Sequence, residues 1–342
     1  MTIYPLFRAL LFKLEPERAH HLTLNLIRLA GDFKPVSWLL QRLFIVPEQP
    51  VQAFGVNFSN PIGLAAGYDK DGLGWRGLAC LGFGHIEVGT VTPIPQPGNP
   101  MPRVFRLVSD KALINRMGFP GLGEEFVKKE IIKTRPKNLV LGVNIGKNKD
   151  TPLESAEQDY LQLLRSFAAH ADYLTINISS PNTVGLRRLH EKQALDHLLS
   201  QINIERERLT SEIPKRLPIL VKLAPDLTET ELDDALEVIL ANNMDGVIAT
   251  NTTLSRDGLK SHMASENGGL SGMPLFSRSL EMVGKIYQRT NGKLPVIGVG
   301  GIFNTTGVQK MLDAGAVLVQ LYTGLIYEGP GLVKRILQEL RN

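Results

Sequence analysis

YLTINISSPNT, at residues 173–183, contains a boundary between an apolar run and a polar run, and the fold prediction depends on boundaries of this kind. Apolar residues alternate at Leu174, Ile176 and Ile178, and small hydrogen-bonding residues then take over. This pattern is typical of a buried strand that ends at a solvated edge. Because Ser, Pro and Asn are also ordinary turn residues, the segment alone could be no more than a turn. The remaining strands decide between these two interpretations.

Similar runs alternate with helical segments from about residue 50 onward. The eight runs are NPIGLAAG (60–67), HIEVGTV (85–91), LVLGVNIG (139–146), DYLTINIS (172–179), PILVKLAP (218–225), DGVIATNT (245–252), PVIGVGGI (295–302) and VLVQLYTG (317–324). Between most of them lie segments with helical periodicity, one of which begins with a capping box at Thr228 and Glu231. Eight strands buried on both faces and joined by helices predict an α/β protein, a (β/α)8 TIM barrel with a small N-terminal helical extension.

A doubly wound open sheet is the competing architecture. It would lead us to expect a glycine fingerprint after the first strand, but GVGGIF (298–303) lacks the third glycine of GxGxxG. The sequence also contains no GxxxxGK[ST] motif. The closed barrel is therefore the preferred prediction.

Residues 1–50 are predicted to form a separate amphipathic helical segment, and the barrel is predicted to occupy 51–342. Phe7, Leu10, Leu11 and Leu14 recur with helical spacing, and two further amphipathic runs follow. Such helices could simply cover the bottom of the barrel. Alternatively, their apolar faces and flanking basic residues could lie on a membrane surface, although several acidic residues weaken the electrostatic part of this argument.

The composition is that of a folded protein with little net charge. Of 342 residues, 43% are hydrophobic and 6% aromatic, and the net charge is +4. We therefore expect no nucleic-acid partner, and we predict no metal site. The single cysteine, Cys80, can form no intramolecular disulfide, which suits a reducing compartment. No stretch approaches the roughly 18 consecutive apolar residues of a membrane-spanning helix.

Polar or glycine residues stand at the predicted carboxyl ends of all eight strands, where barrel proteins build their active sites. In strand order they are 66–70, Thr90, Asn144, 177–182, Lys222, 250–252, 300–301 and 322–324. The glycine-rich turns after the last two strands would expose backbone N–H groups to a phosphate. A phosphorylated ligand or cofactor is therefore expected.

Lys222 lies at the rim of a buried strand, so it needs an anionic partner or a lowered pKa. It could be a Schiff-base nucleophile in a lyase, or a fixed cation beside an electron-accepting ring. Asparagines such as Asn144 and Asn251 suit a flat heterocycle and favour the fixed cation. No histidine stands at a strand end, so Ser180 is the candidate base by elimination. A non-catalytic phosphate-binding barrel is the third hypothesis.

Nine blocks of sequence together resemble the dihydroorotate dehydrogenases. They are AAGYDKDG (65–72), EVGTVTPIPQPGNPMPRVFRL (87–107), NRMGFPG (115–121), NISSPNT (177–183), VKLAPD (221–226), NTT (251–253), GGLSGMPL (268–275), GVGGI (298–302) and LYTGLIYEGP (321–330). LEPERAHHL (14–22) resembles the helical extension of the class 2, quinone-reducing members. The resemblance implies FMN-dependent oxidation of dihydroorotate to orotate in pyrimidine biosynthesis, with a membrane quinone as electron acceptor.

The resemblance also implies roles for individual residues. In class 2 members a serine removes a proton from C5 of dihydroorotate while a hydride leaves C6 for N5 of FMN, and its position matches Ser180, which would be activated through Thr183 or water. Lys222 would stabilise the reduced flavin. The positions that contact FMN match Ala66, Gly67, Tyr68, Asp69, Lys70, Thr90, Asn144, Asn177, Lys222, Thr250, Gly272, Gly301, Tyr322 and Thr323. Those of the orotate site match Lys70, Asn115, Arg116, Met117, Gly118, Phe119, Asn177, Asn182, Asn251 and Thr252, and those of the quinone tunnel match His20, Arg106 and Tyr322.

The resemblance bears on partners and location as well. An iron–sulfur partner subunit would require the class 1B pattern, with a cysteine at the position of Ser180 and no N-terminal helices, so none is expected. Peripheral contact with the cytoplasmic face of a bacterial inner membrane is implied. The bacterial source is inferred from a short N-terminus without a transit peptide.

Overall fold

A computed structural model describes residues 4–133, 135–183, 185–212 and 216–341. The strands are β1 (Val51–Ala53), β2 (Val56–Phe58), β3 (Ile62–Leu64), β4 (His85–Val91), β5 (Val104–Leu107), β6 (Ala112–Asn115), β7 (Val140–Ile145), β8 (Tyr173–Asn177), β9 (Ile219–Leu223), β10 (Gly246–Ala249), β11 (Gly269–Gly272), β12 (Val296–Val299) and β13 (Ala316–Leu321). The α-helices are α1 (Tyr4–Leu11), α2 (Pro16–Asp32), α3 (Lys34–Leu43), α4 (Trp75–Ala79), α5 (Glu124–Ile131), α6 (Ala156–Phe167), α7 (Lys192–Thr210), α8 (Glu229–Ala241), α9 (Phe276–Thr290), α10 (Thr305–Asp313), α11 (Thr323–Glu328) and α12 (Leu332–Leu340).

Eight of these strands close into a parallel barrel in the order β3, β4, β7, β8, β9, β10, β12, β13. Each corresponds to one of the eight predicted runs, so the (β/α)8 prediction is confirmed and the open sheet is rejected. Helix α8 begins with the predicted capping box: the Glu231 N–H donates to Thr228 Oγ1 at 3.3 Å, and the Thr228 N–H donates to Glu231 Oε2 at 2.8 Å.

The barrel interior is filled by alternate side chains of the parallel strands. Val140, Tyr173, Leu220, Ile248, Ile297 and Leu318 belong to this interior cluster. Two glycines leave room for large neighbours: a Cβ at Gly63 would lie 2.0 Å from the His85 ring, and one at Gly142 would lie 2.2 Å from the Tyr173 ring. The lower interior is therefore a packed core, which leaves the other end of the barrel for a ligand site.

The amino-terminal end of the barrel is closed by the β1–β2 hairpin. Phe58 is buried, and its ring meets that of His85, the first residue of β4, edge-on at 5.3 Å between centroids. The possibility that the N-terminal helices cover this end is therefore wrong.

Helices α1 to α3 lie instead against segments that follow the carboxyl ends of β3 and β13. The Tyr4 hydroxyl and the Arg8 guanidinium each donate to a backbone carbonyl of α11 at 2.6 Å. Helix α2 approaches α4 so closely that a Cβ at Gly31 would lie 2.4 Å from the backbone nitrogen of Gly77. None of the described helices is both long and apolar enough to span a membrane.

Strands β5, β6 and β11 form an antiparallel sheet that the sequence analysis did not predict. Phe105 and Leu270 both pair with Ile114, and all three side chains are buried together. The sheet is built from the segments inserted after β4 and β10. It therefore adds a wall above the carboxyl end of the barrel.

Candidate active site

A cavity of about 610 Å³ extends from the carboxyl ends of the barrel strands to the N-terminal helices. Its volume is typical of a site for a cofactor or drug-sized ligand. Most of the predicted site residues line it: His20, Ala66, Gly67, Tyr68, Lys70, Thr90, Arg106, Asn115, Met117, Gly118, Phe119, Asn177, Ser180, Asn182, Lys222, Thr250, Asn251, Thr252, Gly272, Gly301, Tyr322 and Thr323. Asp69, Asn144 and Arg116 are not among the lining residues.

The three exceptions have partners elsewhere. The Asp69 carboxylate accepts from the backbone N–H groups of Leu73 and Gly74 at 2.9 and 2.8 Å, and burial raises its pKa to about 6. Arg116 points away from the cavity and donates to Glu266 at 2.7 Å. Asn144 is fully buried, and its side-chain amide belongs to the hydrogen-bonded floor of the cavity.

The floor consists of hydrogen-bonded polar side chains. The Thr90 hydroxyl donates to Asn144 Oδ1 at 2.6 Å, and Asn177 Nδ2 donates to Thr90 Oγ1 at 2.8 Å and to Asn144 Oδ1 at 3.1 Å. Below them, Asn144 Nδ2 donates to the Glu87 carboxylate at 2.8 Å. These bonds hold the amide groups in fixed orientations before any ligand is present.

Lys222 has a different environment from the amides. It is 6% exposed and forms no hydrogen bond or ion pair with the described residues. Burial lowers the pKa of its ammonium group, and the Glu87 carboxylate opposes that shift. A buried cation that faces a cavity without a direct partner is costly in the free protein and is satisfied by electron-rich or anionic groups of a ligand.

The loop after β8 carries both serines, in different surroundings. Ser179 donates to Asn177 Oδ1 at 3.1 Å and accepts from Asn251 Nδ2 at 2.9 Å, so its hydroxyl is fully engaged. Ser180 faces the cavity and, among the described residues, accepts a hydrogen bond only from the Asn182 N–H, at 3.3 Å. Its hydroxyl proton is therefore available to a ligand or a water molecule.

Arg187 joins three of the loops that surround Ser180. Its guanidinium donates to the carbonyl of Ser179 at 3.2 Å, to that of Thr252 at 3.0 Å, and to the Asp226 carboxylate at 3.0 Å. These partners follow β8, β10 and β9 respectively. The arginine therefore holds the loop that bears Ser180 against its neighbours.

A cradle of glycines lies where a phosphate was predicted, next to the loops after β12 and β13. Gly301 has a φ of +67°, and a Cβ there would lie 2.7 Å from the backbone nitrogen of Phe276. Gly272 has a φ of +100°, and a Cβ there would lie 2.4 Å from the carbonyl oxygen of Lys111. Both positions exclude a side chain because the protein's own backbone occupies that space, and both glycines also line the cavity.

The other end of the cavity is mainly aromatic and apolar. The Tyr68 ring lies edge-on to the rings of His20 and Tyr322, with centroids 5.2 and 5.7 Å apart. Burial, with Lys70 and His21 nearby, lowers the pKa of His20 to about 3, so its ring is neutral at physiological pH. Arg106 donates to the carbonyls of Phe12 and Leu14 at 3.1 and 2.9 Å, and thereby attaches the extension to β5.

Glu87 and Arg187 were missed in the sequence analysis. Glu87 had a usable signal, since it is an acidic residue inside the otherwise buried run HIEVGTV and buried charges need partners. Arg187 had no such signal in the sequence, because its importance lies in contacts with three loops that are distant from one another in the chain.

Together the fold and the cavity define a TIM-barrel protein with a preorganised polar ligand site. The dihydroorotate dehydrogenase family model matches residues 50–342. Two similar relatives are each named dihydroorotate dehydrogenase (quinone): that of Coxiella burnetii is 48% identical over 99% of this chain and 96% of its own, and that of Paraburkholderia phymatum is 49% identical over 99% and 98%. A crystal structure of DHODH in complex with ferulenol from Eimeria tenella has a TM-score of 0.81 and 39% identity, covering 91% of this chain and 90% of that one.

The chain belongs to the dihydroorotate dehydrogenase family. The family prediction and the prediction of an enzyme of the oxidoreductase class are confirmed. The relatives' names favour an oxidoreductase over the Schiff-base lyase and the non-catalytic barrel.

Proposed function

We propose that this protein oxidises dihydroorotate to orotate with FMN as its cofactor and passes the electrons to a membrane quinone, as a step of pyrimidine biosynthesis. The observation that carries the proposal is the buried Lys222, which has no hydrogen bond or ion pair with any residue that the structure describes and lies on a polar floor at one end of a cavity whose other end is apolar. The polar end suits a heterocyclic substrate and a phosphorylated cofactor, and the apolar end suits a quinone.

The residues present fit FMN. Lys222 provides positive charge beside the ring, Thr90, Asn177 and Thr250 provide hydrogen-bonding groups, and the cradle at Gly272 and Gly301 provides backbone contacts for the phosphate. When bound, FMN supplies an acceptor for the two electrons of the substrate hydride. The side-chain amides of Asn115, Asn182 and Asn251 line the space for orotate, with Lys70 and Thr252 beside them.

Ser180 is the proposed base that takes the proton from the substrate. An unassisted serine hydroxyl is a very weak base, so the proton of Ser180 must pass onward as the substrate proton arrives. Thr183 suits this role, because its Oγ1 is buried and has no hydrogen-bond partner among the described residues.

The proposed quinone site lies among α1, α2 and the aromatic rings of Tyr68 and Tyr322. Apolar side chains that line this end include Phe7, Leu11 and Leu26, of which Phe7 and Leu26 are also exposed to solvent. Leu10 on α1, Leu22 on α2 and Trp38 on α3 are exposed as well. We propose that this exposed apolar surface lies peripherally on a bacterial inner membrane, so that a quinone enters directly from the lipid. Sedimentation with anionic vesicles tests this part separately.

The proposed function is tested by recording the visible spectrum of the purified protein under anaerobic conditions, before and after dihydroorotate. We expect a flavin spectrum that bleaches and then recovers with a soluble quinone, but not with fumarate or NAD. A colourless protein, or a yellow one that dihydroorotate does not bleach, would contradict the proposal.

The role of Ser180 is tested by Ser180→Ala in the same assay. FMN should remain bound, while flavin reduction slows by several orders of magnitude, a barrier increase of roughly 4 kcal/mol or more. Ser179→Ala is the matched control, since it deletes the neighbouring hydroxyl, and its effect should be much smaller. A reduction rate for Ser180→Ala close to that of Ser179→Ala would remove Ser180 from this role.

A further inference from the structure

Glu87 is a fully buried carboxylate at the centre of the barrel, one layer below the proposed ligand site. It accepts hydrogen bonds from Asn144 Nδ2 at 2.8 Å, the Tyr173 hydroxyl at 3.1 Å, the Thr175 hydroxyl at 3.2 Å and Gln320 Nε2 at 3.0 Å. Four donors converge on the Glu87 carboxyl group, which fits its ionised form, because an ionised carboxylate can only accept hydrogen bonds. Nothing in the proposed reaction uses this group directly.

The direction of the hydrogen bonds above Glu87 follows from that acceptor-only group. Because Asn144 must turn its NH2 group down to the carboxylate, its Oδ1 faces up and accepts from Thr90 and Asn177. Asn177 then has its NH2 group facing down, and its Oδ1 faces the loop after β8. The orientation of one buried amide thus determines that of the next.

The same sequence of bonds reaches two of the residues proposed to surround the substrate. Asn177 Oδ1 accepts from the Ser179 hydroxyl at 3.1 Å and from Asn251 Nδ2 at 3.4 Å. Asn251 therefore presents its Oδ1 in the opposite direction, where it accepts from the Thr252 N–H at 2.7 Å. Ser179 directly precedes Ser180 in the chain.

We propose that Glu87 is a positioning residue that fixes the donor and acceptor directions of Asn144, Asn177 and Asn251, and thereby the polarity of the substrate site. This inference rests on the proposed function, because it assumes that Asn177 and Asn251, two of the residues predicted for the orotate site, contact the substrate. Glu87 also supplies the negative charge that favours the protonated form of Lys222.

The test is the dissociation constant of orotate for the FMN-loaded protein, measured by calorimetry, in wild type and Glu87→Gln. A glutamine has only one side-chain acceptor oxygen, so at least one of the four donors faces an NH2 group, and the amides above can reverse. We expect orotate binding to weaken by about tenfold or more. Tyr173→Phe is the matched control, because it removes one donor from the same carboxylate but leaves the charge and the Asn144 bond, so orotate should bind as in wild type.

A compensating variant separates polarity from general damage to the core. In Glu87→Gln combined with Asn144→Asp, the acceptor-only group moves to position 144, where it can again accept from Thr90, Asn177 and the new amide at position 87. We expect this double variant to recover part of the lost affinity. If Glu87→Gln binds orotate weakly and the double variant binds it no more tightly, the proposal that Glu87 fixes the directions of the amides is wrong.

The remaining outcomes are also decisive. A folded Glu87→Gln variant that binds orotate as wild type does overturns the inference and leaves the proposed function intact. If Glu87→Gln does not fold, Asn144→Leu interrupts the same sequence of bonds one residue higher, and unchanged orotate affinity in that variant overturns the inference equally. A wild-type protein that carries FMN but binds no orotate overturns the proposed function, and this inference with it.

Discussion

A buried ion pair attaches the N-terminal helices to the rest of the molecule, and Glu17→Gln tests its contribution to stability. Glu17 on α2 is 4% exposed and Arg103 is 6% exposed. Arg103 Nε lies 3.1 and 3.0 Å from the two carboxylate oxygens, and Nη2 lies 2.7 Å from Oε1. The remaining nitrogen, Nη1, donates to the carbonyls of Pro97 and Asn99 at 2.6 and 2.9 Å.

The expected magnitude follows from what Arg103 loses. Its two carbonyl bonds keep the guanidinium in place, so Glu17→Gln leaves a buried positive charge without its counterion. Removal of one partner of a buried pair costs about 3–5 kcal/mol. Because the amide retains one acceptor oxygen, we expect the lower part of this range, about 3 kcal/mol of unfolding free energy.

Urea unfolding followed by circular dichroism measures this loss. Arg28→Gln on the same helix is the matched control, since Arg28 and Asp32 are 3.9 Å apart with side chains 40% and 41% exposed. An exposed pair of this kind contributes less than about 1 kcal/mol. If Glu17→Gln is no less stable than Arg28→Gln, the reasoning about the buried pair is refuted.

The pH dependence gives a second check on the same pair. Burial alone would raise the pKa of Glu17, but the hydrogen bonds and charge of Arg103 outweigh it and the pKa is lowered. The stabilisation is therefore fully present above the unfolded carboxyl pKa of about 4.3 and is lost as the pH falls through the lower folded pKa. The stability difference between wild type and Glu17→Gln should shrink below about pH 4. A difference that stays constant or grows in acid would contradict this assignment.

Three further changes have definite expected results. Lys222→Met should weaken FMN binding, since it removes the positive charge proposed beside the ring. Flavin release measures the effect, and FMN retained as tightly as in wild type would count against the argument. Arg187→Ala should slow flavin reduction by dihydroorotate about tenfold or more while FMN stays bound, because the loops around Ser180 lose the three hydrogen bonds of the guanidinium. Stopped-flow rates of flavin reduction equal to those of wild type would exclude a positioning role. Gly63→Ala should lower the free energy of unfolding by at least about 1–3 kcal/mol, because the new methyl group overlaps the His85 ring. Thermal unfolding measures this loss, and an unchanged melting temperature would show that the barrel interior can adjust.

The barrel was predictable because its signals are local. A strand of a parallel barrel is covered by helices on its outer face and by the packed core on its inner face, so it must be apolar along most of its length. All eight strands show this apolar pattern in the sequence. The capping box of α8 is also local, since Thr228 and Glu231 are three residues apart. Likewise, the candidate site residues could be chosen because the carboxyl ends of parallel strands meet at one end of a barrel.

Other features had no local signal. Strands β5, β6 and β11 have four residues each, and the pairing of Ile114 with Leu270 joins segments far apart in the chain. Arg116 lies inside a block that matches the orotate site, but its side chain is drawn away from the cavity by Glu266. Asp69 was predicted to bind the cofactor, yet its carboxylate accepts from the backbone of its own loop.

The sequence by itself determined the barrel, the existence of three N-terminal helices and the set of polar groups at the strand ends. Only the tertiary structure decided that those helices lie over the carboxyl end, that Glu17 meets Arg103, and that Glu87 lies below the amides. The physical reason is that periodicity records whether a segment is buried, but not which distant segment buries it. Charges buried in a low-dielectric interior select their partners through contacts that form only when the chain has folded.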